Sequence, residues 1–132
     1  MVHSGSVYKA TATAIDPVVS EQQVASIHLA IKYIENNLDR PLTLAEISSQ
    51  VFLSRAYLST RFKQVTGENI GNFIYTKRMQ LAKRLLLSTQ KSIQDIAVKC
   101  GYASPSYFSA SFRRYYRKTP RAFRQEAEQE IH

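Results

Sequence analysis

TLAEISSQVFLSRAYLSTRFK at residues 43–63 and SIQDIAVKCGYASPSYFSASFR at residues 92–113 carry one pattern twice, and the match between them decides the fold. Thr43, Glu46, Ile47 and Val51 match Ser92, Asp95, Ile96 and Cys100 at an offset of 49. After one residue inserted in the turn, Ser54, Tyr57, Leu58, Ser59, Phe62 and Lys63 match Ser104, Tyr107, Phe108, Ser109, Phe112 and Arg113 at an offset of 50. In each copy a hydroxyl residue able to cap a helix precedes apolar residues spaced by three and four. A tight turn and a second capped amphipathic segment follow. A short helix, a turn and a second helix describe both copies, so the chain holds one helix-turn-helix unit in duplicate.

The flanking sequence supplies the rest of the architecture. Residues 1–19 have neither helical nor strand periodicity and are interrupted by Pro17, which reads as a flexible leader. Ser20 can cap a helix carrying Val24, Ile27, Ile31, Ile34 and Leu38, which ends before Asp39-Arg40-Pro41. Thr43 with Glu46 forms the pattern of a capping box. The helix that begins at Ser54 stops at Thr66-Gly67, where glycine supplies a left-handed end.

The longest helix runs from Asn69 to about Leu87. Ile70, Phe73 and Ile74 lie near one end, Leu81, Leu85 and Leu86 near the other, and Lys77-Arg78 at the waist. In the helix begun at Ser104, Phe108, Phe112 and Tyr115 form the inner face. Thr119-Pro120 opens a last helix around Phe123, and the acidic EAEQE end sets negative charge at a helix C-terminus, which favours fraying. The expected fold is all-α: seven helices in two helix-turn-helix subdomains joined by a long linker helix, a homeodomain-like tandem. Its divisions are a leader at 1–19, a first subdomain at 20–67, the linker helix at 68–88, a second subdomain at 89–127 and a frayed tail at 128–132.

Charge points to the partner. The 132 residues carry a formal net charge of +8. Between Arg55 and Arg124 fifteen Lys and Arg face only Glu68 and Asp95, so the excess is concentrated on the repeat itself. A polyanion such as nucleic acid fits that distribution. With Leu58 inward and about 100° per residue, Ala56, Ser59, Thr60 and Lys63 fall on the outward half of their helix, next to Arg55. The second copy places Ser106, Ser109, Ala110 and Arg113 outward, with Arg114 beside them, and Pro105 in the first turn joins them as a candidate DNA contact. Small side chains let a helix backbone enter a major groove about 12 Å wide, while hydroxyls and flanking cations can bond base edges and phosphates. The linker's nineteen or so residues span about 28 Å, close to one duplex turn of about 34 Å. The two outward faces differ in sequence, so a single chain is expected to bind a non-palindromic double-stranded site as a monomer.

Other chemistries find little support. There is no paired acid and base at a useful spacing, no nucleophile elbow and no phosphate-binding loop, so the chain does not read as an enzyme. One cysteine and three scattered histidines give no metal-ligand spacing, and no cofactor is implied. Cys100 aligns with Val51 and reads as a small buried apolar residue. His28 falls near the inner edge of the first helix, and Tyr57 and Tyr107 hold equivalent packing places. Arg121 and Arg124 are open to phosphate contact or to a solvated surface role. Neither a secretory signal nor an apolar run long enough to span a bilayer is present, so the expected location is cytoplasmic, without a membrane partner.

SIQDIAVKCGYASPSYFSASFRRYYRKTPRAFR resembles the signature of the AraC/XylS family, with its Ile-Ala pair, Gly followed by an aromatic, Ser-Tyr-Phe, Phe followed by two basic residues, Thr-Pro and a closing aromatic-Arg. SRAYLSTRFKQVTG resembles the family's first recognition helix, and RMQLAKRLL its linker helix. The resemblance covers about residues 22–125. It implies a seven-helix domain that inserts both recognition helices into successive major grooves and usually activates transcription.

Three departures accompany it. Thr60 and Ala110 stand where family members often carry Arg, so base preference does not transfer. Arg117 replaces the glycine common after the second recognition helix, which leaves that helix end without its usual left-handed residue. The leader is too short for the ligand-sensing or receiver domain that precedes this domain in many members. The chain therefore resembles stand-alone members, or the DNA-binding remnant of a longer regulator. A competing reading is an interaction protein that acts through RNA polymerase or another regulator without specific DNA binding.

Overall fold

The computed structural model describes residues 21–131. The leader at 1–19 and the proposed cap Ser20 lie outside the described residues. Seven helices follow in order: α1 (Glu21–Glu35), α2 (Leu44–Gln50), α3 (Arg55–Thr66), α4 (Ile70–Ser88), α5 (Ile93–Lys99), α6 (Pro105–Tyr116) and α7 (Pro120–Ile131). No strand occurs among the described residues.

The duplication is visible residue by residue. α2 and α5 both have 7 residues, and α3 and α6 both have 12, with boundaries at the offsets read from the sequence. All four N-caps are hydroxyl side chains accepting a backbone N–H three residues on. Thr43 accepts from Glu46, Ser54 from Tyr57, Ser92 from Asp95 and Ser104 from Tyr107, each at 3.0–3.1 Å. Such a cap contributes about 1 kcal/mol by satisfying an otherwise orphaned donor.

Left-handed backbone recurs in the same register. Phe52 (φ 59°) and Gly101 (φ 84°) share one position of the inter-helix turn, and Gly67 (φ 86°) and Arg117 (φ 67°) share the position after the second helix. Arg117 therefore takes the left-handed conformation itself and caps α6, its N–H bonding the Arg113 carbonyl at 2.7 Å. This corrects the expectation that the helix end lacks a left-handed residue. A side chain in that region costs about 1–2 kcal/mol relative to glycine; Gly67 makes the matching bond to the Lys63 carbonyl at 2.8 Å without that cost.

The chain divides into two compact units. The first comprises α1–α3 and the start of α4, the second Leu38–Pro41 and everything from Tyr75 onward. In the first unit α1 packs on α2 and α3. Ile27, Ile34, Ile47, Leu58 and Phe62 are fully buried. Phe73 from α4 meets the Phe62 ring edge-on at 5.1 Å. The Tyr33 hydroxyl donates to the Glu46 carboxylate, so that side chain ties α1 to α2 as well as standing at the capping-box position. α1 ends at Glu35, three residues before the periodicity suggests. The Asn36-Asn37 pair favours a turn, and Asn37 Nδ2 bonds the Tyr33 carbonyl at 2.8 Å.

In the second unit Met79, Ala82, Leu86, Ile96, Ala97, Cys100, Tyr102, Phe108 and Phe112 form one core, with Phe123 and Tyr116 packed against it. The inner stripe of α6 ends in Tyr116, whereas Tyr115 is 37% exposed, a correction to the expected face. The cause is α7: Phe123 meets Phe112 at 5.5 Å and Tyr116 at 5.7 Å, pulling the stripe toward 108, 112 and 116. Tyr116 also donates to the Met79 carbonyl at 3.1 Å.

α7 starts at the Thr119 cap, which accepts from Ala122 N–H at 3.1 Å. It stays helical through Ile131, including the stretch where the acidic end argues for fraying. Glu, Ala and Gln are good helix formers, and their summed propensity outweighs an exposed dipole term of about 0.3–1 kcal/mol. On α1, His28 is exposed rather than packed inward.

Candidate nucleic-acid interface

Each unit displays the face of its second helix that the periodicity assigns outward. On α3, Arg55, Ala56, Thr60 and Lys63 are exposed and Ser59 is half-buried. On α6, Pro105, Ser106, Ala110, Arg113 and Arg114 are exposed and Ser109 is half-buried. The cause is the inward stripe. Leu58 and Phe62 on α3, and Phe108 and Phe112 on α6, are wholly inaccessible and turn the opposite face to solvent. Ser59 and Ser109 sit where the outward face meets the packed one. The centre of each outward face is small, so a duplex could approach the helix backbone closely.

The two faces differ in their cations. On α3, Arg61 is drawn inward. Its Nη1 donates to Gln64 Oε1 at 2.6 Å, its guanidinium lies 4.8 Å from the Tyr57 ring centre, and its Nε is buried without a hydrogen-bond partner among the described residues. Arg55 and Lys63 are thus left as the outward charges, one near each end of the helix. On α6, Arg113, Arg114 and Arg117 cluster at the C-terminal end and line, with Ala110, a shallow recess of about 490 Å³. Arg114 rests 5.5 Å from the ring centre of Tyr75, which also takes Tyr115 edge-on at 5.4 Å. Tyr75 is fixed by donating its hydroxyl to the Ser111 carbonyl at 2.8 Å. Aromatic stacking of this kind orients the arginine without neutralising it.

Several groups that the sequence leaves open have internal roles. Arg124 donates Nε to the Leu86 carbonyl, Nη1 to Lys91 and Nη2 to Thr89, at 2.7–3.1 Å, so its guanidinium closes the C-terminal end of α4. The Leu86 carbonyl lies in the last turn of α4, where the helix cannot pair its own acceptors, and Thr89 and Lys91 follow just beyond it. Arg121 is exposed. Arg78, read as half of a charged waist, is half-buried. Its Nη2 donates to the Arg40 carbonyl at 2.7 Å, its Nε is buried without a hydrogen-bond partner among the described residues, and burial lowers its pKa. Tyr57 packs beneath Arg61, while its counterpart Tyr107 is 61% exposed and touches only the edge of Tyr102 among ring partners.

Cys100 is fully buried, and desolvation pushes its thiol up to about 12, against nearby positive charge that pulls the other way. A thiol held neutral in this way is a packing group and not a nucleophile. Among the described residues no group of three or more His, Cys, Asp or Glu could hold a metal ion, and no helix is long and apolar enough to cross a membrane.

Arg117 is the outward residue that sequence reasoning set aside. Its substitution for glycine is visible in the repeat register, whereas the charge it adds beside Arg113 shows only once the turn after α6 is seen to be left-handed.

Known proteins share this arrangement. A helix-turn-helix domain model matches residues 47–126. The regulatory protein SoxS of Salmonella typhimurium strain LT2 is 35% identical over 106 residues, covering 80% of this chain and 97% of that protein. The probable transcriptional regulator LumQ of Photobacterium leiognathi is 34% identical over 102 residues, which is 76% of this chain; the match spans 41% of LumQ. A transcriptional regulator of the AraC-type DNA-binding-domain class from Chromobacterium violaceum superposes with a TM-score of 0.72 at 32% identity, over 80% of this chain and 94% of that one. With a domain model matched over more than half its length and a 35% identical relative aligned nearly end to end, the chain belongs to the AraC/XylS family of helix-turn-helix regulators, which are not enzymes.

Proposed function

We propose that the chain is a sequence-specific binder of double-stranded DNA that regulates transcription in the cytoplasm, acting as an activator. α3 and α6 are its reading helices. The observation that carries this is the matched pair of outward faces, each small at the centre and cationic at the end, displayed at one register by two copies of the unit. In this reading Ala56, Ser59 and Thr60 on α3, and Ser106, Ser109 and Ala110 on α6, meet base edges. Arg55, Lys63, Pro105, Arg113 and Arg114 lie at phosphates or at the groove margin. The unlike faces favour an asymmetric promoter site bound by one chain. Activation implies a further contact with RNA polymerase.

The test is selection of binding sites from a randomised duplex pool, followed by titration of the selected and a scrambled duplex over a range of salt. Specific binding with a log-log salt slope near about −5, for about six neutralised phosphates, is expected. Lys63→Ala and Arg113→Ala should each cost about 1–3 kcal/mol. Equal affinity for the two duplexes would leave a non-specific interaction protein as the better description.

A further inference from the structure

We propose that Arg117 completes, with Arg113 and Arg114, a three-arginine seat for one backbone phosphate of the duplex on which α6 lies; this rests on the DNA-binding reading above. Three observations lead there. First, Arg117 holds a left-handed backbone (φ 67°, ψ 15°) at a position where the first copy uses Gly67, so the side chain is kept where glycine would be relaxed. Second, the residue is exposed, so it is not part of the core formed by the described residues. Third, the recess it lines holds Ala110, Arg113 and Arg114 and no carboxylate among the described residues. Its sequence neighbour Lys118, by contrast, is paired with Glu126.

Strain and exposure alone do not mark a site, since Phe52 has both; what sets Arg117 apart is the cationic recess it lines with Arg113 and Arg114. Three like charges around one recess repel until an anion enters. Planar guanidinium forks suit a phosphodiester, whose two free oxygens can accept paired N–H bonds. The left-handed turn directs the chain back after α6, and in doing so places the Arg117 side chain beside Arg113, whose carbonyl it caps. Ala110, one turn earlier on α6, leaves room for the ester oxygens. A phosphate held here would fix the position of α6 along the groove without reading sequence.

The experiment uses the full chain and the variants Arg117→Gly, Arg117→Asn and Arg117→Lys. Each is titrated against the selected and scrambled duplexes across salt concentrations, and its thermal midpoint is measured. Gly and Asn both tolerate the left-handed backbone and remove the charge. Both variants should melt higher than the parent yet bind roughly tenfold more weakly on either duplex, with the salt slope shallower by about 1. The Lys variant should keep the slope. Higher melting with unchanged affinity and slope would overturn the seat while leaving the DNA reading intact. A lower midpoint in both Gly and Asn variants would overturn the strain argument. If the parent chain selects no duplex at all, the seat falls together with the proposed function.

Discussion

Phe52 and Gly101 occupy the same left-handed position in the turns of the two copies, at φ 59° and φ 84°, yet their surroundings are opposite. Phe52 is 93% exposed, so its ring returns nothing for the strain. A Cβ at Gly101 would lie 2.5 Å from the Leu38 carbonyl oxygen and 3.0 Å from the Arg78 guanidinium carbon. Phe52→Gly should therefore stabilise the protein by up to about 1 kcal/mol, the relief of strain being partly offset by glycine's unfolded-state entropy. Gly101→Ala should cost at least about 2 kcal/mol, since backbone must move. Urea denaturation of both variants checks the pair; a neutral Gly101→Ala would contradict the close approach.

Arg78 gives a second prediction through its bond to the Arg40 carbonyl and its desolvated charge. Arg78→Ala should destabilise by about 2–4 kcal/mol, because it empties volume and removes the bond to the part-buried Arg40 carbonyl. Arg78→Met loses the same hydrogen bond and the same charge but fills the space, so it should cost less than Arg78→Ala, by about 1 kcal/mol or more. Denaturation midpoints in the reverse order would show that refilling the space recovers no stability at this site.

Arg124 separates stability from binding. Its three bonds to the carbonyls of Leu86, Thr89 and Lys91 predict a loss of about 2 kcal/mol in Arg124→Ala. The salt slope of DNA binding should be unchanged. A shallower slope at unaltered stability would return Arg124 to the phosphate contacts.

Cys100 predicts a pH dependence. Burial pushes its thiol up to about 12 in the fold from an ordinary 9.0, so between those values the unfolded chain releases a proton that the folded chain keeps. Its contribution to stability is intact below pH 9 and declines as pH rises toward 12, at up to about 1.4 kcal/mol per unit. Cys100→Val, the residue at the matching place in the first copy, should decline less steeply across that window. Alkylation of the native parent at pH 8 should be limited by unfolding. Rapid modification without unfolding would refute the burial.

The repeat was legible because its determinants are local. Thr43, Ser54, Ser92 and Ser104 are caps whose partners lie three residues away, and the stripes Leu58-Phe62 and Phe108-Phe112 face inward by helical periodicity alone. The outward placement of Arg55, Thr60, Lys63, Ser106 and Arg113 follows from the same periodicity. What escaped was set by distant chain. Arg78 and Arg124 find acceptors more than thirty residues away, and Tyr116 displaces Tyr115 from the inner stripe because of where Phe123 arrives. Arg117 escaped for another reason, since a missing glycine reads as a defect until the backbone is seen to adopt its conformation regardless.

The four residues Leu38–Pro41 belong to the second unit although the chain on both sides of them builds the first. No single cut in the polypeptide can therefore release both halves whole. A fragment beginning at Tyr75 would leave the Arg78 guanidinium without its carbonyl and strip the cover from Gly101. Dissection into independently folding pieces should fail on the C-terminal side unless that short segment is supplied, by a graft or as an added peptide.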